Sequence, residues 1–475
     1  MTGELILTSN TYDEGRIAIN DSFSGTAIFN ILSANTFYNP SSLFSASTGL
    51  GSIIANNGTG NLASGSYSIV GGQFSLASGV NSFIGGGKSN SATTGYATIA
   101  GGKGNITSGE RSFIGGGQNN TASGALHPAI VGGKGNLAAG NYTFIGGGSF
   151  NTATTAGASV VGGNSNIASN YNSFIGGGIS NEASGIRSFI GGGYKNSATT
   201  AYAIIVGGQE NLVSGTHSFI VGGSGNTTSG QHSSVIGGFA NSASTTYATV
   251  VSGKHNSASG TYSFIGGGSQ NTASGIRASI IGGISNSASG GRSFIGGGMS
   301  NATEGYYSTI LGGRQNSILG VINGGHSSIS GGYKNSVSQS RSFIGSGKDN
   351  TISGKYSIIG AGSGNTAGAY YSSTIGGQHN TILASAHFSS IIGGLHNSIN
   401  GSAPRSVVLG MSGFTATAAD TTHVENLYLN GYFDLNSLTV LPTASIGRVF
   451  FSGSPLYRLM VNTGGTNNDW MVLNG

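Results

Sequence analysis

The chain repeats itself about every 15 residues over most of its length, and this repeat restricts its fold more than any other feature. With the asparagine of each block as reference, the series opens at Asn61, steps evenly from Asn151 to Asn316, and ends at Asn397. A short fixed period is typical of a solenoid, in which each repeat packs on its neighbours. The series predicts about 23 coils, and a rod of roughly 110 Å at about 4.8 Å per coil.

Two positions of the repeat predict a thin apolar interior. Two residues after the asparagine stands a small or apolar residue, usually alanine, as in Ala92 and Ala122. Six residues before the asparagine stands a β-branched residue, and we expect this column to fill the inside of each coil. The core candidates are Ile99, Ile114, Ile130, Val160, Ile205 and Ile310. The fold class predicted is therefore all-β, a parallel β-solenoid with two short strands per coil.

The first strand of each coil is apolar on its outer face as well. Phenylalanine or a small residue stands seven places before the asparagine, and two residues later the size is reversed, so that Phe113 precedes Gly115. A strand that is apolar on both faces must be covered on both, and a bare stripe along a rod far exceeds the patch that a monomer exposes. We therefore predict a parallel homo-oligomer. The interface candidates are Phe83, Phe113, Phe144, Phe174, Phe189, Phe264, Phe294, Phe343, Val131, Val161, Val251 and Ile281.

Two coils depart from this exchange of large and small residues. Phe189 follows Phe174 directly, and Phe219 precedes Val221 instead of glycine. Layers that interdigitate at native density need large and small residues to alternate. We expect local irregularity of the rod at these two places.

Composition excludes several classes of protein. Gly contributes 90 residues and Pro only 5, without a three-residue period, so the chain is not collagen. An apolar share of 36% with 7% charged residues is unlike a disordered chain. The net charge of +5 is spread without a basic cluster, which argues against nucleic-acid binding. There is no Cys, and no apolar run suits a signal peptide or a membrane span, so we expect no membrane insertion.

The repeat resembles the head repeats of trimeric autotransporter adhesins. The matching residues are Ser112–Gly115 and its copies in the first strand and Asn120–Gly124 in the second, and the likeness covers about residues 50 to 410. This resemblance implies a left-handed β-roll that forms a homotrimer. The repeat here is about 15 residues where that of the family is nearer 14, and rolls of this kind also occur in bacteriophage fibres.

The two ends differ from the repeat, and together they give four expected segments. Residues 1–50 resemble the attachment segments of phage fibres, 51–404 form the rod, 405–440 are a transition, and 441–475 hold three apolar runs that predict a small β tip. These features favour a structural fibre of a bacteriophage or a phage-like injection particle. Its expected partners are itself, virion proteins at the N-terminus, and a host receptor or glycan at the tip. Its expected location is the virion.

A column of large polar and aromatic residues is a second place for recognition. Nine residues before each asparagine stand Tyr, Arg or His, a set that we call the ridge: Tyr96, Arg111, His127, Tyr142, Arg187, Tyr202, His217, His232, Tyr247, Tyr262, Arg277, Arg292, Tyr307, His326, Arg341 and Tyr356. Aromatic faces suit sugars and arginine suits acidic sugars, although the same residues could simply shield a coil corner. The recognition candidates are Tyr457 and Trp470 at the tip and Arg111, Arg277 and Tyr262 on the ridge.

Catalysis has little support in the sequence. Between Ser75 and Pro404 the only carboxylates are Glu110, Glu182, Glu210, Glu304 and Asp349, which occupy different columns. A glycosidase needs two carboxylates at one bond, and a zinc site needs a third ligand beside His217 and His232. We expect a non-enzymatic protein with no catalytic residues, no metal site and no cofactor.

Two other functions remain open at this point. A bacterial surface adhesin of the trimeric β-roll type would use the same rod. An ice-binding solenoid would need a flat array of threonines, whereas the second strand mixes Ser and Thr with Leu137, Ile167 and Glu182.

Overall fold

The structure, a computed structural model, describes residues 44–46, 48–55, 60–320, 325–424, 449–452, 458–462 and 470–473. It confirms an all-β parallel β-solenoid, with about 24 turns. No helix occurs in these ranges. The left-handed coil and the homotrimer stay predictions.

Each coil contributes one rung to each of three parallel ladders. In the coil of Asn120, the first strand is Phe113–Ile114 and the second is Thr121–Ala122. Gln118 lies between these two strands in the sequence and forms isolated β-bridges to the coils before and after it. The next coil continues each ladder in register, since Phe113 pairs with Ala129, Thr121 with Leu137, and Gln118 with Lys134. Each strand of the rod therefore finds its hydrogen-bond partners in the coils above and below it.

Most of these strands are only two residues long, because glycine and left-handed corners turn the chain after each pair of residues. The longer strands lie at the ends of the rod and in the C-terminal sheet: Phe44–Ala46, Ile53–Ala55, Ser390–Ile392, Val407–Leu409, Thr422–Val424, Val449–Ser452, Arg458–Asn462 and Trp470–Leu473.

The N-terminal end of the rod is covered by an antiparallel strand. Phe44–Ala46 pairs with Ile53–Ala55, whose other edge begins the parallel ladder at Ile69–Val70. An added strand of opposite direction occupies an edge that would otherwise be open to another chain. The predicted attachment segment, 1–50, is therefore too long at its C-terminal end, since residues 44–46 belong to the rod. Residues 1–43 lie outside the described part.

The C-terminal end of the rod lies beyond the predicted boundary at residue 404. Val407–Leu409 pairs in parallel with Ser390–Ile392 and then with Thr422–Val424. The boundary was wrong because the reference asparagine is replaced by Phe414, whose N–H nevertheless donates to Asn397 Oδ1 at 3.1 Å. The ladder continues beyond the last reference asparagine, since its backbone hydrogen bonds form without an asparagine in the next coil.

The interior of the rod holds one large and one small column, as predicted. Ile114 and Ala122 are fully buried, and the same is true of their equivalents in the neighbouring coils. The six core candidates are confirmed as buried: Ile99, Ile114, Ile130, Val160, Ile205 and Ile310. Burying a side chain of this size contributes about 1.5–3 kcal/mol, so the isoleucine column supplies much of the stabilisation of each coil.

A buried asparagine ladder runs beside this interior. The N–H of Asn120 donates to Asn105 Oδ1 at 3.0 Å, while Asn105 Nδ2 donates to the carbonyls of Gly101 and Gly117, both at 3.0 Å. Gly101 belongs to the same coil and Gly117 to the next. The asparagine amides therefore bond both to adjacent coils and to the turn backbone of their own coil.

The irregularities expected at Phe189 and Phe219 are absent from the described rod. Phe174 and Phe189 pair in register and their rings stack, with centroids 5.3 Å apart and planes 3° from parallel. Phe219 likewise pairs in register with Ile204 and Ser234. At Phe189 the expectation was wrong because an in-register parallel ladder places identical rings face to face, which is a favourable arrangement. At Phe219 the neighbouring residues in the ladder are Ile204 and Ser234, and the register is kept.

The tip contains a three-stranded antiparallel sheet of Val449–Ser452, Arg458–Asn462 and Trp470–Leu473. The three apolar runs predicted for residues 441–475 are therefore three strands, as expected.

Candidate functional site

The apolar stripe, formed by the outward residues of the first strands and the residues that follow them, lies on the surface of the rod. Phe113 is 40% exposed and Val131 is 52% exposed, whereas Ile114, which follows Phe113 in the same strand, is fully buried. None of the predicted interface residues belongs to the interior of its own coil. They are Phe83, Phe113, Phe144, Phe174, Phe189, Phe264, Phe294, Phe343, Val131, Val161, Val251 and Ile281, all half-buried or exposed.

Where glycine follows phenylalanine on this stripe, the ring lies close to that glycine. A Cβ at Gly115 would lie 2.4 Å from the carbonyl oxygen of Val131 and 3.5 Å from the ring of Phe113. At Gly345 the corresponding distance to the ring of Phe343 is 3.6 Å. The ring thus lies back over the glycine of its own strand, and coils with a small first residue have room for valine or isoleucine there.

The ridge occupies a corner at which the backbone is left-handed. The φ angles of Tyr96, Arg111 and His127 are 56°, 55° and 53°. This region is unfavourable for residues other than Gly, Asn and Asp. The corner is held because each ridge N–H still finds a carbonyl on the preceding coil, as Tyr96 N does at Val80 O, 2.8 Å away. Sequence reasoning missed this conformation, although Asn172 and Gly157 in the same column are a signal for it.

The aromatic side chains of the ridge stack on one another along the rod. Centroids are 4.5 Å apart for Tyr202 and His217, 5.2 Å for His217 and His232, and 4.9 Å for His232 and Tyr247. Tyr262 continues the stack at 4.7 Å, and every one of these ring pairs lies within 20° of parallel. The stack ends in arginine on both sides, with Arg187 5.6 Å from the Tyr202 centroid and Arg277 5.5 Å from that of Tyr262.

This stacking changes what the ridge can recognise. Because each ring is covered above and below, its face is closed to a sugar, and only its edge with the polar atoms points to solvent. The expectation that aromatic faces bind sugars is therefore wrong for the stacked rings between Tyr202 and Tyr262. Of the three ridge candidates, Tyr262 and Arg277 are in contact with each other, while Arg111 lies over Tyr96 and pairs with Glu110 at 3.9 Å.

One part of the ridge carries two neighbouring arginines. Arg277 packs on Tyr262 of the preceding coil, whereas Arg292 packs on Tyr307 of the following coil, 5.0 Å from its centroid. A second ring, that of Tyr306, lies 5.9 Å from Arg292 and stands perpendicular to the ring of Tyr307. Sequence reasoning missed Tyr306, and the two consecutive tyrosines were the signal that could have found it.

The second strand presents a hydroxyl face on another side of the coil. From Thr227 to Ser289 the outward positions are Ser or Thr in five successive coils. Leu212 interrupts this face before that run and Glu304 after it. The interruptions disfavour the ice-binding alternative, which needs an extended array.

The carboxylates of the rod stay apart. Glu182 lies on the second strand, Glu210 at a left-handed corner, and Glu304 accepts a hydrogen bond from the N–H of Gly320 at 3.1 Å. In the described ranges no three His, Cys, Asp or Glu residues come together as a metal site. The expectation of a protein without catalytic residues, metal or cofactor stays a prediction.

An ion pair continues the ridge at the C-terminal end of the rod. Arg405 donates to both carboxylate oxygens of Asp420 on the next coil, with 2.8 Å between Nη2 and Oδ2. The hydrogen bond from Arg405 lowers the pKa of the Asp420 carboxyl below its usual value, and the same bond raises the pKa of Arg405. Both groups are exposed, so solvent screens this pair.

The tip candidates fall at the margin of what the structure describes. Trp470 begins the last strand of the tip sheet, and Tyr457 lies outside the described residues. Among the described residues, no helix is long and apolar enough to cross a membrane. No protein-family model matches the chain, and a comparison with curated proteins gives no match.

Proposed function

We propose that the chain is a structural fibre of a bacteriophage or of a phage-like contractile injection particle. It is a rigid homotrimeric rod that carries a surface-binding tip. The observation that supports this best is the apolar stripe, which runs along the first strands of a solenoid of about 24 turns. Such a stripe is far larger than the apolar patch that a soluble monomer exposes.

The stripe is suited to parallel copies of itself. Phe113 and Val131 project on adjacent coils, and smaller outward residues such as Ala129 lie beside the phenylalanines in the ladder. Identical chains in parallel present the same pattern at the same height, so that large residues of one chain can fill hollows of another. The number of three chains rests on the resemblance to trimeric β-rolls.

The two ends of the chain would have different functions, attachment at one end and receptor binding at the other. Residues 1–43 would hold the fibre on the particle, and the sheet formed by 449–452, 458–462 and 470–473 would contact a host receptor or glycan. A rigid rod gives the tip mechanical reach, because each coil is bonded to the next through three ladders.

Immunoelectron microscopy of particles from producing cells tests this proposal. An antibody against residues 441–475 is expected to label the fibre ends that lie farthest from the particle body, and an antibody against residues 1–43 the ends beside it. Reversed labels would contradict the orientation. Particles that carry neither label would contradict the function.

The second candidate is a bacterial surface adhesin. The same stripe and tip would serve a cell-attached rod, since β-rolls of this type resemble adhesin heads. Labelling of intact cells that carry no phage or injection-particle genes would favour this alternative.

A further inference from the structure

The two neighbouring arginines of the ridge, Arg277 and Arg292, are a pair of unneutralised positive charges on the described rod. The ion pairs of the described residues join Arg111 to Glu110, Lys348 to Asp349 and Arg405 to Asp420. Arg277 and Arg292 take part in none of them, and both side chains are exposed on adjacent coils. Two cations on adjacent coils, which are spaced about 4.8 Å apart, repel each other, so an anion that contacts both would be stabilised by both.

The packing of the two arginines leaves a place for that anion. Arg277 lies over Tyr262 on one side of the pair, and Arg292 lies over Tyr307 on the other. Each guanidinium is thus held by a ring on the side away from its neighbour. Stacked guanidiniums keep their planar donor edges free, which suits bidentate binding of a carboxylate.

Arg292 is also fixed in direction by its surroundings. The ring of Tyr306 occupies the space beside Gly291, where a Cβ would lie 2.3 Å from Tyr306 Cε2. Glycine at this position therefore lets Tyr306 and Tyr307 enclose Arg292 from two directions. A side chain that is already held loses less freedom on binding, and affinity rises accordingly.

We infer that Arg277 and Arg292 bind the carboxylates of an acidic polysaccharide that lies along the ridge. The rings on either side of the pair present their hydroxyl and ring N–H edges at each coil, so a polymer meets several donors in succession. Multiple contacts of this kind strengthen one another through effective concentration. The site belongs to the side of the rod and is distinct from the tip.

A polysaccharide fits this surface better than a nucleic acid does. Proteins that hold single-stranded nucleic acid stack the bases on open aromatic faces, and the faces between Tyr202 and Tyr262 are covered by their neighbours. Sugar hydroxyls need only hydrogen-bond partners at the ring edges, which remain exposed here.

Calorimetric titration of the full chain with polygalacturonate, a polymer of uronic acid, tests the inference. We expect binding that weakens as salt is added, and a loss of at least about tenfold in affinity for the double variant Arg277→Gln/Arg292→Gln. Arg292→Lys should also bind more weakly, since lysine keeps the charge but not the planar pair of donors. The matched control is Arg111→Gln on the same ridge, where the arginine already has a carboxylate partner, and its affinity should change less than twofold.

Three results would overturn the inference. They are no binding of polygalacturonate, an equal loss in the Arg111→Gln control, or equally tight binding of polyphosphate or single-stranded DNA with the same dependence on Arg277 and Arg292. Circular dichroism of each variant confirms that the fold is kept. Because the titration uses the purified rod, its outcome is separate from the labelling of particles.

Discussion

A typical asparagine of the buried ladder bonds to three backbone groups, one buried N–H and two half-buried carbonyls. Asn241 Nδ2 donates to the carbonyls of Gly237 and Gly253 at 3.0 and 2.9 Å, and its Oδ1 accepts from the N–H of Asn256 at 3.0 Å. A buried polar group that loses its partner costs about 1–3 kcal/mol. The side chain therefore holds its own turn and the next coil together at once.

Asn241→Ala should consequently destabilise the rod by about 1–3 kcal/mol, since it removes the acceptor of the buried Asn256 N–H and a donor to two half-buried carbonyls. The effect should be local, because coils of a solenoid interact only with their neighbours. Thermal unfolding measures the loss, and hydrogen exchange should rise in the coils from Asn226 to Asn271. Ser242→Ala, on the outward side of the adjacent residue, is the control and should change stability by less than about 0.5 kcal/mol. Equal effects of the two variants would show that the ladder contributes nothing special.

At the scale of the elements, the corners of the coil adopt a left-handed backbone conformation that costs free energy. Tyr142 has a φ of 55° and stacks on His127 with centroids 5.3 Å apart. The left-handed conformation costs roughly 1–2 kcal/mol for an ordinary residue, and ring stacking contributes about 0.5–1.5 kcal/mol. Ridge stacking therefore offsets part of the strain of the corner, which supports its role in shielding the corner.

Two substitutions at one corner separate strain from stacking. Both Tyr142→Asn and Tyr142→Val remove the ring, but asparagine tolerates a positive φ and a β-branched residue does not. Tyr142→Val should be less stable than Tyr142→Asn by about 1–2 kcal/mol, as measured by chemical denaturation. The same pair of changes at Thr121, a half-buried residue of the second strand, is the control and should favour valine. Equal stability of the two Tyr142 variants would contradict the assignment of strain to this corner.

The sequence predicted the strands better than the corners. Columns such as that of Ile114 and Ala122 follow from burial alone, so their place in the fold could be inferred from residue type. The corner at Tyr142 could not, because tyrosine has no preference for the left-handed region and is placed there by the ladder bonds around it. For the same reason the stacking that closes the ring faces appears only when successive coils are seen in register.

At the scale of the whole molecule, we propose that the apolar stripe is the interface between chains. Phe264 lies on this stripe beside Gly266, half-buried in the single chain. A carboxylate in the middle of an apolar interface would be buried without a partner, which costs several kcal/mol.

Phe264→Asp should therefore separate the assembly into smaller species, with the molar mass falling toward that of one chain in light scattering. Ser257→Asp, on the hydroxyl face of the same region, is the control and should leave the mass unchanged. If the mass of Phe264→Asp equals that of the original protein, the stripe is not the interface between chains.

The C-terminal end of the rod was only partly predictable from the sequence repeat. Asn397 is the last reference asparagine, and yet Val407–Leu409 and Thr422–Val424 continue the ladder. The repeated side chains locate the coils in the sequence, but the end of the rod is set by where the backbone hydrogen bonds between coils end. The stripe itself was predictable, since the exchange of phenylalanine and glycine is visible in the sequence, whereas the Arg277 and Arg292 pair needed the contacts of both side chains.

One coil is longer than its neighbours, and the ladder passes it without change. Four extra residues separate Asn316 from Asn335 in comparison with the usual step, and Asn335 N still donates to Asn316 Oδ1 at 3.0 Å. Because neighbouring coils meet through the same bonds everywhere, recombination between gene copies of the repeat can add or remove a whole coil. Each event would change the length of the rod by about 4.8 Å, so that this length can evolve in steps of one coil.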